Sequence, residues 1–106
     1  MPVINISDLG ELRTVIRANN RVIVNFGRSE CKVCQYMDPI YRRLSDEYDN
    51  IVFVLVDISE EKAMVEKYKI EVIPTFKFFE HSVEAGEVAG TIVCSLIEGL
   101  KLLSAV

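Results

Sequence analysis

Two cysteines, Cys31 and Cys34, lie three positions apart in the segment Cys31-Lys32-Val33-Cys34. Side chains at this spacing share one face of a helix, with Cβ atoms about 5–6 Å apart. A small adjustment brings such a pair within disulfide range, so that the bond can form and break without unfolding. Because the thiolate is the attacking species in thiol–disulfide exchange, we expect Cys31 to attack a client disulfide and Cys34 to resolve the mixed disulfide.

The elements that must position this pair are a strand and a helix. Residues 21–26 are rich in valine and isoleucine and predict a buried strand, and residues 31–48 predict a helix that contains Pro39. Residues 27–30 are predicted to form the turn between them, with Ser29 as a candidate cap. A thiolate at a helix N-terminus is stabilised by the macrodipole and by free backbone donors, which favours Cys31 as the nucleophile.

Other roles are open to two cysteines at this spacing. One such pair supplies two thiolates, whereas a structural zinc site takes about four ligands. His81 is the single histidine and Cys94 is distant in sequence. A metal or iron–sulfur centre would therefore need to be shared at a dimer interface. The remaining alternatives are buried structural cysteines and a non-catalytic binding or adaptor module.

Helical and strand-like patterns alternate along the rest of the chain. Asp8, followed three positions later by Glu11, predicts the start of a first helix that ends at 19–20. The further predicted elements are a candidate strand at 3–5, strands at 51–57, 74–79 and 87–92, a short helix at 60–68, and a closing helix marked by Leu96, Leu100 and Leu103. This order predicts an α/β fold with parallel pairing in its first part and a final antiparallel hairpin.

Length and composition indicate one domain over residues 1–106, half of them hydrophobic. The formal net charge of -4, with both signs mixed, argues against nucleic-acid binding. The apolar run at 51–56 is much shorter than the ~20 residues of a membrane-spanning helix. The first twelve residues lack a basic segment before an apolar stretch, so we expect no secretory signal and a cytoplasmic location.

Several motifs together resemble the thioredoxin family. Besides the cysteine pair and the strand before it, they are Pro39, Val56-Asp57, Ile73-Pro74-Thr75 and Gly90. The resemblance covers most of the chain from residue 6 to residue 103. It implies the thioredoxin fold, with a central mixed sheet of four to five strands flanked by about four helices. It also implies exchange with protein disulfides, no bound cofactor, a monomer, and a thioredoxin reductase as electron donor.

The resemblance further implies a client groove beside the cysteines. It implies a cis peptide bond before Pro74 and a neighbouring backbone that pairs with the client chain like an added strand. By this analogy Ile73, Pro74, Thr75 and Gly90 line the groove. In this family the proline is expected to block metal capture, which counts against the metal alternative.

Two departures from the family pattern concern the surface around the pair. Glu30 stands where thioredoxins have a tryptophan, and Lys32-Val33 replaces Gly-Pro. With Arg28 nearby, the groove becomes charged instead of flat and apolar, so client choice should differ. Arg28 and Lys32 favour the thiolate of Cys31, whereas Glu30 opposes it.

Two further departures lie in the interior. Asn25 stands where thioredoxins bury an aspartate, and Leu55 replaces the lysine that pairs with it. The aspartate is credited with helping the resolving thiol lose its proton, and Asn25 cannot titrate. Losing both partners together avoids a buried unpaired charge, but we expect slower proton transfer from Cys34.

Four other side chains are given mainly structural roles. Cys94 is expected to be a half-buried small hydrophobe at the start of the last helix, with a regulatory or dimerising thiol as the alternative. Val33 and Tyr36 are expected to cover the cysteine pair, and His81 to be a solvated turn residue.

Overall fold

The alternating segments fold into one mixed sheet covered by helices. The computed structural model describes residues 3–59, 62–90 and 93–105. The elements are β1 (Ile4–Ile6), α1 (Leu9–Ala18), β2 (Arg21–Gly27), α2 (Lys32–Glu47), β3 (Val52–Asp57), α3 (Lys62–Tyr68), β4 (Thr75–Glu80), β5 (Val83–Ala89) and α4 (Val93–Ser104). Over these ranges the sheet has five strands in the order β1-β3-β2-β4-β5.

The direction of strand pairing changes at β2, the central strand. β1, β3 and β2 run parallel, as helical crossovers require, whereas β4 is antiparallel to both β2 and β5. Asn25 of β2 accordingly lies between Leu55 of β3 and Phe76 of β4. The predicted α/β fold, its parallel first part and its final antiparallel hairpin are confirmed.

The two faces of the sheet carry separate apolar cores. The rear core lies under α1 and α3 and contains Ile6, Leu12, Ile16, Val22, Val24, Phe26, Val54, Val56, Ile58, Met64, Tyr68, Ile70 and Phe79. The front core lies under α2 and α4 and contains Ile23, Met37, Tyr41, Leu44, Ile51, Phe53, Phe76, Phe78, Leu96, Leu100 and Leu103. Each helix buries one apolar stripe, as amphipathic helices do.

Local signals explain where two of these elements begin. The Asp8 carboxylate accepts a hydrogen bond of 2.9 Å from the Glu11 backbone N–H, which confirms the predicted start of α1. His81 and Ser82 have φ values of 51° and 71°, so they form a tight two-residue hairpin turn. β5 therefore begins at Val83, and the predicted start at residue 87 is wrong. The last two positions of the predicted strand, 91 and 92, lie outside the described residues.

The remaining boundaries differ from prediction by small amounts. α3 is described from Lys62, while the predicted first positions, 60 and 61, lie outside the described residues. β1 is shifted one residue along the chain from the predicted 3–5. None of the helices in the described ranges has the length and apolar character needed to cross a bilayer.

Candidate active site

The cysteine pair lies where β2 leads into α2. Cys31 is the N-cap of α2, with extended backbone dihedrals of φ -76° and ψ 119°. Its Sγ accepts a hydrogen bond of 3.2 Å from the Cys34 backbone N–H. A sulfur that accepts from the first turn occupies the place of a capping oxygen, where negative charge is favoured.

The predicted cap, Ser29, has a different role. Its hydroxyl donates to Glu30 Oε2 over 3.1 Å, and its carbonyl oxygen accepts from Gln35 Nε2 over 2.8 Å. The prediction that Ser29 caps α2 is therefore wrong, because Cys31 itself has the extended backbone and the acceptor that a cap needs. Ser29 instead ties the turn to the first turn of the helix.

The two cysteines are both free and half-buried, yet Cys34 holds its proton firmly. Burial raises the pKa of the Cys34 thiol to about 11, and the hydrogen bond that its side chain makes with Cys31 acts in the same direction. A hydrogen bond with the Arg28 backbone opposes this effect. In the reduced pair, Cys34 is thus a thiol beside the capping sulfur of Cys31.

Gly27, the last residue of β2, allows Cys34 to approach the sheet. A Cβ at Gly27 would lie 3.0 Å from Cys34 Sγ, closer than ordinary van der Waals contact. The Gly27 carbonyl oxygen accepts from the Ile58 backbone N–H over 2.9 Å, so the backbone is fixed at this point. The turn prediction for residues 27–30 did not identify this packing role.

Asn25 and a cavity lie behind Cys34. Asn25 is 2% exposed, and its Oδ1 is buried with no hydrogen-bond partner among the described residues. A cavity of about 510 Å³ opens beside it and is also lined by Cys34, Leu55 and Asp57. The structure therefore brings the resolving cysteine and the two interior departures, Asn25 and Leu55, to the wall of one cavity.

The segment predicted to line the groove starts β4. The Ile73–Pro74 peptide bond is cis, as the resemblance implied, and Pro74 is buried. Thr75 pairs with Phe26 of β2, so Pro74 lies at the end of the sheet from which the chain leads to the cysteines. The Gly90 backbone N–H donates to the Pro74 carbonyl oxygen over 2.8 Å, which joins the two parts of the predicted groove.

The side chains of this segment differ in their access to solvent. Ile73 is half-buried against the rear core, whereas Thr75 is 2% exposed and its hydroxyl donates to the Val72 carbonyl oxygen. Thr75 thus offers no side-chain group to the surface. Gly90 has a φ of 81°, a left-handed conformation that favours glycine.

Sequence comparison decides the family. A sequence model described as Thioredoxin matches residues 6–101. The chain belongs to the thioredoxin family. The solved structure of Plasmodium falciparum thioredoxin superposes with a TM-score of 0.90 at 28% identity, covering 94% of this chain and 98% of that one. The thioredoxin fold is thereby confirmed.

Two curated relatives differ in how much of their own length this chain covers. An H-type thioredoxin of Oryza sativa subsp. indica is 36% identical over 73 residues, which is 69% of this chain and 60% of that one. A peptide-N(4)-(N-acetyl-beta-glucosaminyl)asparagine amidase of Caenorhabditis briggsae is 31% identical over 104 residues, which is 95% of this chain but 17% of that one. The chain therefore spans only part of each of these relatives.

The surface of this thioredoxin-family site is charged and partly apolar. Glu30 and Lys32 are exposed beside Cys31. Val33 is 42% exposed and Tyr36 is 64% exposed. The expected role of these two side chains as a cover for the cysteine pair stays a prediction.

Tyr41 is a supporting residue of the site that sequence reasoning missed. It is fully buried in α2, and its hydroxyl lies 2.7 Å from the Val54 carbonyl oxygen and 3.1 Å from that of Ile23. Donation to this pair of carbonyls fixes the helix that carries Cys34 to β2 and β3. The available signal was its position seven residues after Cys34, on the same helical face.

Cys94 and His81 lie outside the site. Cys94 is exposed at the start of α4, so its predicted role as a half-buried small hydrophobe is wrong. His81 is an exposed turn residue, as predicted. Within residues 3–59, 62–90 and 93–105, no group of three or more His, Cys, Asp or Glu side chains is placed to hold a metal ion.

Proposed function

We propose that this chain is a thiol–disulfide oxidoreductase that reduces disulfides of client proteins through Cys31 and Cys34. The observation that supports it most directly is the geometry of the reduced pair. Cys31 Sγ accepts the backbone N–H of Cys34 at the start of α2, while burial keeps the Cys34 thiol protonated. One sulfur is thus stabilised as the electron-rich partner and the other retains its proton, as sequential exchange requires.

The proposed reaction has two steps. The Cys31 thiolate attacks one sulfur of a client disulfide, which breaks the client S–S bond, forms a mixed disulfide and releases one client thiolate. Cys34 then loses its proton and attacks Cys31 Sγ, so that the Cys31–Cys34 disulfide forms and the second client thiolate leaves. Two electrons pass from the dithiol to the client, and each released thiolate takes a proton from solvent.

The client is proposed to lie along Ile73, Pro74, Thr75 and Gly90. The exposed side chains of Glu30, Lys32 and Val33 border Cys31, and Val72 is 51% exposed. An extended client segment would pair with the backbone of this edge while its side chains meet charged neighbours. We infer that clients are selected by charge as well as by an accessible disulfide.

The cellular role follows from the same chemistry. We infer a single domain that acts as a monomer in the cytoplasm, receives electrons from a thioredoxin reductase, and contributes to electron transport and redox homeostasis without a bound cofactor. The family match and the H-type thioredoxin relative support this assignment. The reduction potential would fix the direction: about -270 mV is typical of a thioredoxin reductant, and about -180 mV of an isomerase.

Mixed-disulfide trapping tests the function. A Cys34→Ser variant in a Cys94→Ser background is incubated with insulin as a disulfide client, and adducts are analysed by non-reducing electrophoresis and peptide mass spectrometry. We expect covalent insulin adducts on Cys31, because the resolving thiol has been removed. The matched control, Cys31→Ser in the same background, should form few adducts.

Two results together would contradict the proposal. One is the absence of insulin adducts on Cys31 in the trapping variant. The other is failure of the Cys94→Ser protein to form an intramolecular Cys31–Cys34 disulfide when equilibrated with oxidised glutathione. A zinc content of about one ion per dimer would then favour a shared metal site.

A further inference from the structure

Cys34 and Asn25 approach each other beside Gly27, at the end of β2. The position that a Gly27 side chain would fill is 3.0 Å from Cys34 Sγ and 3.8 Å from Asn25 Oδ1. Because Gly27 has no side chain, no atom of residue 27 separates Cys34 Sγ from Asn25 Oδ1 on this face of β2. One water molecule in the cavity, at van der Waals distance from the Gly27 backbone, can therefore contact both atoms.

Asn25 supplies an acceptor that needs a partner. Its side chain is 2% exposed, and its Oδ1 is not hydrogen-bonded to any described residue. Buried polar atoms in folded proteins are almost always hydrogen-bonded, either to protein groups or to ordered water. The side chain of Leu55, its neighbour in β3, has no donor.

The cavity around this point suits water. It measures about 510 Å³, and water occupies a cavity when there is room and when two to four polar groups are within reach. Besides Asn25 and Cys34, its polar lining comprises Asn5, Ser7, Arg28, Ser29, Gln35, Asp38 and Asp57. A bridging water in this cavity can accept from the Cys34 thiol and donate to Asn25 Oδ1.

We propose that Asn25 is a positioning residue that holds a water molecule against Cys34, and that this water carries away the Cys34 proton in the resolving step. The inference rests on the proposed function and supplies the step for which the family's buried aspartate is missing. Asn25 itself does not take the proton, because an amide oxygen is not a base at neutral pH. Its role is to orient the water that does.

The resolving step starts from the mixed disulfide between Cys31 and the client. The Cys34 S–H bond breaks and its proton passes to the held water, which releases a proton through the cavity to bulk solvent. The Cys34 sulfur attacks Cys31 Sγ, the Cys31–Cys34 bond forms, and the bond from Cys31 to the client sulfur breaks. The departing client thiolate takes up a proton from solvent, so that no further reactant is needed.

The carboxylates of the cavity are poorer candidates for the base. Hydrogen bonds from the Ser59 side chain lower the pKa of Asp57 below its usual range, with smaller contributions from the Ser59 backbone and from Ser29. A carboxylate held in its charged form has little tendency to take a proton from a thiol. Asp38 is bound to Arg42 over 2.9 Å. Arg28, which also lines the cavity, carries only hydrogen-bond donors and no acceptor for a proton.

Stopped-flow reaction with one equivalent of 5,5′-dithiobis(2-nitrobenzoate) separates the two steps in a Cys94→Ser background. The first thionitrobenzoate is released by Cys31 and the second by Cys34. We expect Asn25→Leu, which is similar in size, to slow the second release by about tenfold or more while the first changes by less than about twofold. The matched control Leu55→Met alters the cavity wall without touching the acceptor and should change neither phase.

If Asn25→Leu does not fold, the pH dependence of the second phase in the Cys94→Ser protein, whose cysteine pair is unsubstituted, provides a second test. The second phase should accelerate by about tenfold per unit between about pH 6 and about pH 8, because the Cys34 proton passes through the held water to solvent before the sulfur attacks, and the thiolate fraction below the thiol pKa rises tenfold per unit. Asn25→Asp should make this dependence shallower by adding a carboxylate at the same point.

The outcomes distinguish the inference from the function on which it rests. A second phase that is unchanged in Asn25→Leu, or a flat pH profile of the unsubstituted pair, overturns the role of Asn25 and its water while leaving the exchange reaction in place. If the Cys94→Ser protein releases no second thionitrobenzoate at all, the exchange function fails, and the inference fails with it.

Discussion

The two faces of the sheet are built from the same strands but differ in the polarity and size of their side chains. On the rear face, β2 contributes Val22, Val24 and Phe26, and all three are fully buried among apolar neighbours. On the front face, the alternate residues of β2 change from Ile23 to Asn25 to Gly27 as the strand approaches the cysteines. One strand thus serves stability on one side and chemistry on the other.

The difference shows where a site can be placed without loss of the fold. The front core is apolar under most of α2 and α4, and it includes Phe53 and Phe76 in ring contact with Tyr41. Along the front face of β2, polar and small residues come at the end of the strand, beside the start of α2. Substitutions in the rear core should therefore alter stability, whereas those at the end of β2 should alter exchange.

The largest effect on stability is expected from Leu12→Ala in the rear core. Leu12 is fully buried, and truncation of such a leucine costs about 3 kcal/mol through lost burial and a residual cavity. Urea unfolding of the reduced and oxidised forms should show the same loss in both, because the substitution does not touch the cysteines. Unequal losses in the two forms would mean that the rear core is coupled to the redox site.

A smaller loss, about 2 kcal/mol, is expected from Gly99→Ala in α4 on the front side. The added Cβ would lie 2.6 Å from the Phe78 ring, and the clash should outweigh the gain in helix propensity of about 1 kcal/mol. The matched control is Gly10→Ala in α1, where the nearest atom is the Asp8 carboxylate at 3.2 Å. Its stability in urea should not fall and should rise by at most about 1 kcal/mol, since the helix-propensity gain applies there without a buried clash.

The smallest effect is expected from Cys34, as an alkaline loss of stability in the reduced form. The folded-state pKa of about 11 lies above the ordinary value of 9.0. Below about pH 9 the thiol is protonated in both states and contributes nothing; between about pH 9 and 11 the unfolded chain ionises first, so stability falls as pH rises. Urea midpoints of the reduced protein should fall more steeply over this range than those of Cys34→Ser. Parallel curves would contradict the raised pKa.

Much of the fold could be predicted because its signals are local and redundant. The Val- and Ile-rich strands, the Asp8 cap and the alternation of periods each indicate the same architecture. β5 was misplaced because it is an edge strand that is mostly exposed, so its sequence lacks the apolar pattern that marks the central strands. Its start depends on the backbone at His81 and Ser82, which the sequence does not specify.

The residues of the site could be predicted from the sequence, but their geometry and the cavity beside them could not. Cys31, Cys34 and the departure at Asn25 are visible in the sequence, as is the possibility that proton transfer has changed. The role of Cys31 as cap depends on backbone dihedrals, and the cavity depends on how three strands and α2 meet. The exposure of Cys94 likewise reflects which face of α4 meets the sheet.

The cap of α2 couples the redox state of the cysteine pair to the stability of the helix N-terminus. The sulfur that closes the first turn of the helix is also the one that reacts, and as a thiolate it is a stronger acceptor for the Cys34 N–H than as a member of a disulfide. Oxidation should therefore weaken the cap of α2, and reduction should restore it. The first turn of α2 should therefore be more ordered in the dithiol form than in the disulfide form.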